Sequence, residues 1–150
     1  MADVGIVIDP EFARLARRLE RLADEELGGL LDLIGSEVES QTRRRIESEK
    51  TDPQGKAWED WSDSYKNSRH DGQSLLEGEG DLLDSITYEL AGDAVIIGTN
   101  LVYGAIHQLG GEAVGIDITA RAYLGLSTEN EDDLVIIVDD WLDEQIMGAA

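Results

Sequence analysis

Fourteen residues, Gly98-Thr99-Asn100-Leu101-Val102-Tyr103-Gly104-Ala105-Ile106-His107-Gln108-Leu109-Gly110-Gly111, constrain this chain more than any other stretch, because the hydrophobic period changes part-way through them. Ahead of them, Asp93-Ala94-Val95-Ile96-Ile97 is the apolar run of a strand. Beyond Asn100, the apolar residues Leu101, Val102, Ala105, Ile106 and Leu109 fall at helical spacing. Gly110-Gly111 is a stop signal, and Asn100 is placed to cap the helix through its side-chain oxygen. The stretch therefore predicts strand, tight turn, short helix, glycine turn. Upstream, Ile86 to Leu90 alternates as a half-buried strand does, Ala91-Gly92-Asp93 is a turn, and Ala94 to Gly98 returns as its partner. This predicts an antiparallel hairpin feeding the short helix.

Val4 to Ile8 is a short β-prone run, and Asp9-Pro10 is a helix start, with Asp as N-cap and Pro at the first helical position. Phe12, Leu15, Leu19 and Leu22 follow at steps of three and four, with Arg14, Arg17, Arg18 and Arg21 on the other faces. Gly28-Gly29 predicts a break, since each glycine costs a helix about 1 kcal/mol relative to alanine. The pattern resumes at Leu30, Leu31, Ile34, Val38 and Ile46. Residues 51–81 read as a mobile, loop-rich region. It opens with a turn at Asp52-Pro53 and Gly55, and Asp60 or Ser62 is placed to cap a short helix to about Arg69. Val114 to Ile118 alternates like another strand, and Tyr123 to Leu126 is apolar and strand-like. Ser127 or Thr128 caps a closing helix carrying Leu134, Val138, Trp141, Leu142 and Ile146. The fold class that follows is α+β in a single domain over 1–150. Its parts are an N-terminal helical segment, a small mainly antiparallel sheet with an inserted short helix, and a C-terminal helix.

Charge narrows the function. Of the 150 residues 33 are acidic and 12 basic, for a net charge of −21. Residues 1–70 carry −5 and residues 71–150 carry −16, with Arg121 the one basic group of the second part. Such a surface repels phosphate backbones and anionic lipid, so sequence-specific nucleic-acid binding and membrane binding are not expected. Solubility accounts for the acidity, as does adaptation to high salt, where screening makes self-repulsion tolerable. The nine Arg against three Lys lean toward the second account. No apolar run approaches the roughly 20 residues of a membrane helix, and no leader pattern opens the chain. The protein is expected to be soluble and intracellular when made. There are no cysteines, hence no disulfide framework or Cys-based metal site.

Chemistry finds little to stand on. His70 and His107 are the two histidines. Nucleophile elbow, zinc-protease and phosphate-loop patterns are all missing, as is the spacing of a calcium loop at the acidic pairs. No catalytic residue, cofactor or metal is expected. His107 beside Gln108 reads as a hydrogen-bonded structural pair, and the competing reading is a small hydrolase using His107 with a nearby carboxylate. Arg43-Arg44-Arg45 reads as cations at a helix C-terminus paired with Glu39, Glu47 and Glu49, against a nucleic-acid contact. Trp58, Trp61 and Tyr65 form either a local core under the loop or an assembly contact. Arg121, alone among acids, is expected in a salt bridge.

Three spaced motifs resemble the phage virion morphogenesis (tail completion) family. They are Asp52-Pro53-Gln54-Gly55-Lys56-Ala57-Trp58, the Gly98–Gly111 stretch with Tyr103, His107-Gln108 and Gly110-Gly111, and Thr119-Ala120-Arg121-Ala122-Tyr123-Leu124-Gly125. Leu82-x-x-Ser85-Ile86 adds a fourth. Thr119 and Ala122 stand where the family has prolines, and Tyr123 where it has phenylalanine. The resemblance implies a structural virion component assembled in the host cytoplasm, acting in tail completion or head–tail joining. It implies partners among tail-tube or head–tail connector proteins and a homo-oligomeric ring, with six copies as the expected number. It also admits an acidic wall past which DNA slides. Together with Trp61 and Tyr65, set apart by their aromatic spacing, the motif residues Trp58, Tyr103, His107, Gln108 and Arg121 make up the expected assembly or structural set. A DNA-mimicking acidic module that binds a basic protein is the remaining alternative.

Overall fold

In the computed structural model, residues 24–68, 74–78 and 80–148 are described, together with Pro10. The expected Val4–Ile8 strand and Phe12–Leu22 stripe lie outside the described residues, as does His70. The elements are α1 (Asp24–Arg44), a π-helical turn (Arg45–Glu49), α2 (Asp63–Lys66), α3 (Asp81–Ser85), β1 (Thr87–Ala91), β2 (Ala94–Gly98), α4 (Gly104–Leu109), a 3₁₀ turn (Glu112–Val114) and α5 (Thr128–Gly148). The fold is α+β, as the hydrophobic periods predict. Among the described residues, no helix is long and apolar enough to cross a membrane.

β1 and β2 form the predicted antiparallel hairpin, with Tyr88 opposite Ile97 and Leu90 opposite Val95. Gly92 opens the two-residue turn at φ +64°, a conformation that suits glycine. Val95 and Ile97 point inward onto α1. Approach is closest at Gly35, where a Cβ would stand 2.3 Å from the Tyr88 ring. The Tyr88 hydroxyl then reaches over the helix to donate to Asp32 (2.7 Å).

α1 is continuous through Gly28-Gly29, where a break was expected. Neither glycine has an atom within 4 Å of its Cβ position, so both lie on the open side. Leu30 is buried, and Leu27 and Leu31 pack against the core. Burying one such side chain is worth about 1.5–3 kcal/mol, which outweighs the propensity of the glycines. Leu30, Ile34, Val38 and Ile46 meet Ile86, Val95 and Ile97 of the hairpin region and Leu134, Val138 and Trp141 of α5 in one core. Ser127 and Asn130 cap α5 reciprocally. The Asn130 N–H donates to Ser127 Oγ (3.1 Å) and the Ser127 N–H to Asn130 Oδ1 (3.1 Å).

Four local expectations are corrected. The inserted helix begins at Gly104, and Asn100 does not cap it. Thr99 Oγ1 accepts from the Leu101 N–H (3.1 Å) and the Gly104 N–H donates to the Leu101 carbonyl (3.0 Å), so a turn uses these residues first. Residues 114–118 form no strand. Their backbone bonds close locally, from the N–H of Ile116 to Gly111 O and from that of Gly111 to Ile118 O, both 2.9 Å. Tyr123–Leu126 has no partner strand among the described residues, and side chains bond the backbone of Tyr123, Leu124 and Gly125 instead. The helix after Ser62 is also shorter than expected, ending at Lys66.

The Gly35–Tyr88 contact generates a paired prediction. Gly35→Ala should destabilise the fold by about 1–3 kcal/mol by forcing the Tyr88 ring aside. Gly28→Ala should stabilise it by about 0.5–1 kcal/mol. Urea unfolding of the two variants checks the opposite signs.

Candidate functional site

The motif segments are far apart in sequence and meet in one node. α1 carries its buried stripe past Val38 through Gln41, Thr42 and Arg45, all fully buried. The Arg45 guanidinium donates to the carbonyls of Tyr123 and Gly125 (both 2.9 Å) and to Asn130 Oδ1 (2.5 Å). Its Nε has no partner among the described residues. Burial pushes its pKa down, and the charges of Glu49 and Asp52 oppose that. Arg43 pairs with Glu39 (3.2 Å) and Arg44 with Glu49 (3.4 Å), as the helix-terminus reading expects. Arg45 departs from that reading and binds backbone instead.

Gln108 reaches the node from α4. Its Oε1 accepts from the N–H groups of Tyr123 (3.0 Å) and Leu124 (2.9 Å), and its Nε2 donates to the Leu124 carbonyl (3.2 Å). The Tyr123 hydroxyl, fully buried, donates to the Gly104 carbonyl (2.8 Å), and burial raises its pKa. A Cβ at Gly104 would lie 2.4 Å from Thr99, which explains the glycine there. Trp58 is buried and donates from Nε1 to Ala122 O (2.9 Å). Pro53 packs so close to Gly125 that a Cβ there would come within 2.4 Å. The Ser85 hydroxyl donates to Leu82 O (2.7 Å) and meets Thr99 Oγ1 (2.5 Å). All four motif segments are thus cross-linked by hydrogen bonds or packing.

The other expected site residues line an open cavity of about 560 Å³ beside this node. Trp61, Tyr65, Tyr103, His107 and Arg121 all face it, with Asp60, Asp81 and Asp117. Trp61 and Tyr65 meet edge to face at 5.8 Å, and so do Tyr103 and His107. The three aromatics of the Trp58–Tyr65 segment therefore divide, Trp58 into the core and the other two onto the cavity wall. Arg121 takes carbonyls rather than carboxylates as its hydrogen-bond partners among the described residues. Its Nε donates to Glu59 O (2.8 Å) and its Nη2 to Asp60 O (3.1 Å). The Asp60 carboxylate instead pairs with Lys66 (2.7 Å), whose hydrogen bond holds it below its ordinary pKa.

His107 Nδ1 is buried and has no partner among the described residues. Burial, with Arg121 adding to it, lowers the imidazole pKa. The His107 backbone carbonyl accepts from the Arg121 N–H (2.7 Å). No group of three metal-ligating side chains occurs among the described residues. Lys50, which sequence reasoning did not single out, is a second hub. In a left-handed conformation (φ +54°), its ammonium donates to Ile46 O, Ser74 Oγ (2.9 Å), Leu75 O (2.9 Å) and Glu77 (3.1 Å). The Ser74 hydroxyl and, less strongly, Lys50 hold the Glu77 carboxyl below its ordinary pKa.

The family model of the phage virion morphogenesis family matches residues 9–143. The chain belongs to that family of phage assembly proteins. It is 32% identical over 146 residues to the putative capsid assembly protein G of Escherichia phage Mu, covering 88% of this chain and 89% of that one. It is 38% identical over 73 residues to the Mu-like prophage FluMu G protein 2 of Haemophilus influenzae, covering 47% of this chain and 52% of that one. No solved structure matches.

Two measurements test the node and its wall. Arg45→Met should cost about 3 kcal/mol or more by leaving buried carbonyls unpaired, read as a lowered urea midpoint. His107 should titrate below the ordinary imidazole value of about 6.5 in a proton NMR series. Its folded pKa is depressed, so the unfolded chain binds the proton first as pH falls below about 6.5. Stability should fall with pH there, and His107→Gln should remove that component.

Proposed function

We propose that this chain is a structural, non-catalytic component of a phage or prophage particle that works by shape, in tail completion or head–tail joining. On this reading it assembles through contacts between its own copies into a ring, with six copies as the working number, and docks on tail-tube or head–tail connector proteins. The observation that carries the reading is the surface of the motif segment. Val102, Leu109, Val114 and Ile116 stand 76%, 75%, 65% and 43% exposed within a stretch of fifteen residues. On this reading, these large aliphatic side chains supply apolar surface for burial between subunits. Family membership points the same way, and the relative from phage Mu is described as a putative capsid assembly protein.

A closed ring needs heterologous contacts, with two different patches meeting at each interface. For so acidic a chain, bringing copies together costs electrostatic repulsion that salt screens. Light scattering after size exclusion, at low salt and at molar salt, tests the reading. A multiple of the 16.4 kDa chain mass that grows or tightens with salt is the expected result. A chain that stays single at both salts overturns self-assembly in solution and moves the test to binding on isolated tail tubes.

A further inference from the structure

The hairpin leaves one sheet edge open. Its two-residue turn makes Ala91 and Ala94 a hydrogen-bonded pair, and bonded and non-bonded pairs alternate from there. Leu90–Val95 and Tyr88–Ile97 are therefore non-bonded pairs, so the main-chain N–H and C=O groups of Tyr88 and Leu90 point away from β2. Among the described residues, no hydrogen bond outside the sheet reaches them. On β2 the matching groups belong to Val95 and Ile97, which are buried. On β1 every residue is exposed except Tyr88, which is half-buried, so this edge faces solvent along its length. No proline, lysine or bulge guards it, and its one charge is Glu89.

Glu89 decides how a second copy can pair there. A two-fold contact between β1 edges has to match outward-directed main-chain groups with one another, and three registers engage both Tyr88 and Leu90. Centred on Glu89, the pairing sets Glu89 against Glu89 of the other copy with Cα atoms about 4.5 Å apart. These are like charges directly opposite, on chains that each carry −21. Centred on Tyr88, it sets Leu90 against Ile86, whose carbonyl already accepts from Arg43 (2.8 Å) and whose N–H donates to Leu83 O (3.4 Å). Centred on Leu90, it sets Glu89 against Ala91, Tyr88 against Gly92 of the turn, and Leu90, 46% exposed, against Leu90. We propose that two copies of this chain join β1 to β1 about a two-fold axis at Leu90, so that two hairpins become one four-stranded antiparallel sheet. Two strands are the least stable form of sheet, and pairing the leucines removes apolar surface from water. The contact uses the same patch on both copies, so it is separate from the heterologous contacts of the ring reading and does not rest on it.

The chain has no cysteine, so Leu90→Cys and Glu89→Cys each introduce a single thiol. In the proposed register the two Leu90 Cα atoms stand about 5.5 Å apart, within disulfide reach, and the two Glu89 Cα atoms about 7–8 Å apart on a diagonal, beyond it. Leu90→Cys should form a disulfide-linked dimer in a glutathione buffer at molar salt, and Glu89→Cys should not. Val135→Cys, at an exposed site on α5, gives the background of random collision. The reverse pattern, cross-links from both β1 variants, or none above background from either overturns the pairing. Leu90→Lys, which sets two like charges face to face, should halve the mass of the wild-type particle by light scattering at molar salt, with the far-UV spectrum unchanged. An unchanged mass overturns the pairing, as does a wild type that stays single at both salts. A wild type of two chains that Leu90→Lys separates supports this contact and tells against the ring.

Discussion

The buried Arg45 guanidinium is the interaction on which the rest of this structure depends. A cation withdrawn from water is costly unless its N–H groups are satisfied. Here the satisfaction comes from two main-chain carbonyls and the Asn130 amide, with no carboxylate among its hydrogen-bond partners in the described residues. A planar fork with several donors can serve three acceptors from two segments at once, which a lysine ammonium on a flexible stem does less rigidly. The result joins the end of α1 to the Tyr123–Gly125 segment and to the cap of α5. α4 is then located by Tyr123 and Gln108, and the loop of residues 51–58 by Pro53 and Trp58. A single polar contact set thereby orders parts of the chain that share no secondary structure.

Much of this was legible in the residues. The hairpin, the last helix with its Ser127 cap, the apolar stripe of α1 and the Asp52–Gly55 turn follow from period and turn chemistry. The misreadings have physical causes. Gly28-Gly29 continues a helix because propensity is a small term beside the burial of its leucine neighbours. The segments at 114–118 and 123–126 have strand composition, yet sequence alone does not reveal that their backbone groups are taken up by local turns and by side chains. Arg45 was hidden inside a run of three arginines, although a signal existed: Leu30, Ile34, Val38, Gln41 and Arg45 continue one helical stripe. Reading the stripe past its last aliphatic residue would have placed the guanidinium inside. Of the seven residues singled out, Trp58 and Gln108 hold the node and the other five share the cavity wall. Their grouping depends on the node, which no spacing in the sequence encodes.

The acidity and the apolar exposures belong to the same design problem. A chain with 33 acidic and 12 basic residues repels its own copies at a distance. Membership of the phage virion morphogenesis family places that balance in an assembly protein.

Gln108 solves a different problem on one side of the molecule. Tyr123 and Leu124 are extended, buried and, among the described residues, unaccompanied by a strand, so their backbone groups need partners from elsewhere. The glutamine amide occupies two donors and one acceptor along that backbone, imitating a neighbouring strand with a single side chain. The backbone of a buried segment is thus satisfied without a neighbouring strand, by one residue on a six-residue helix.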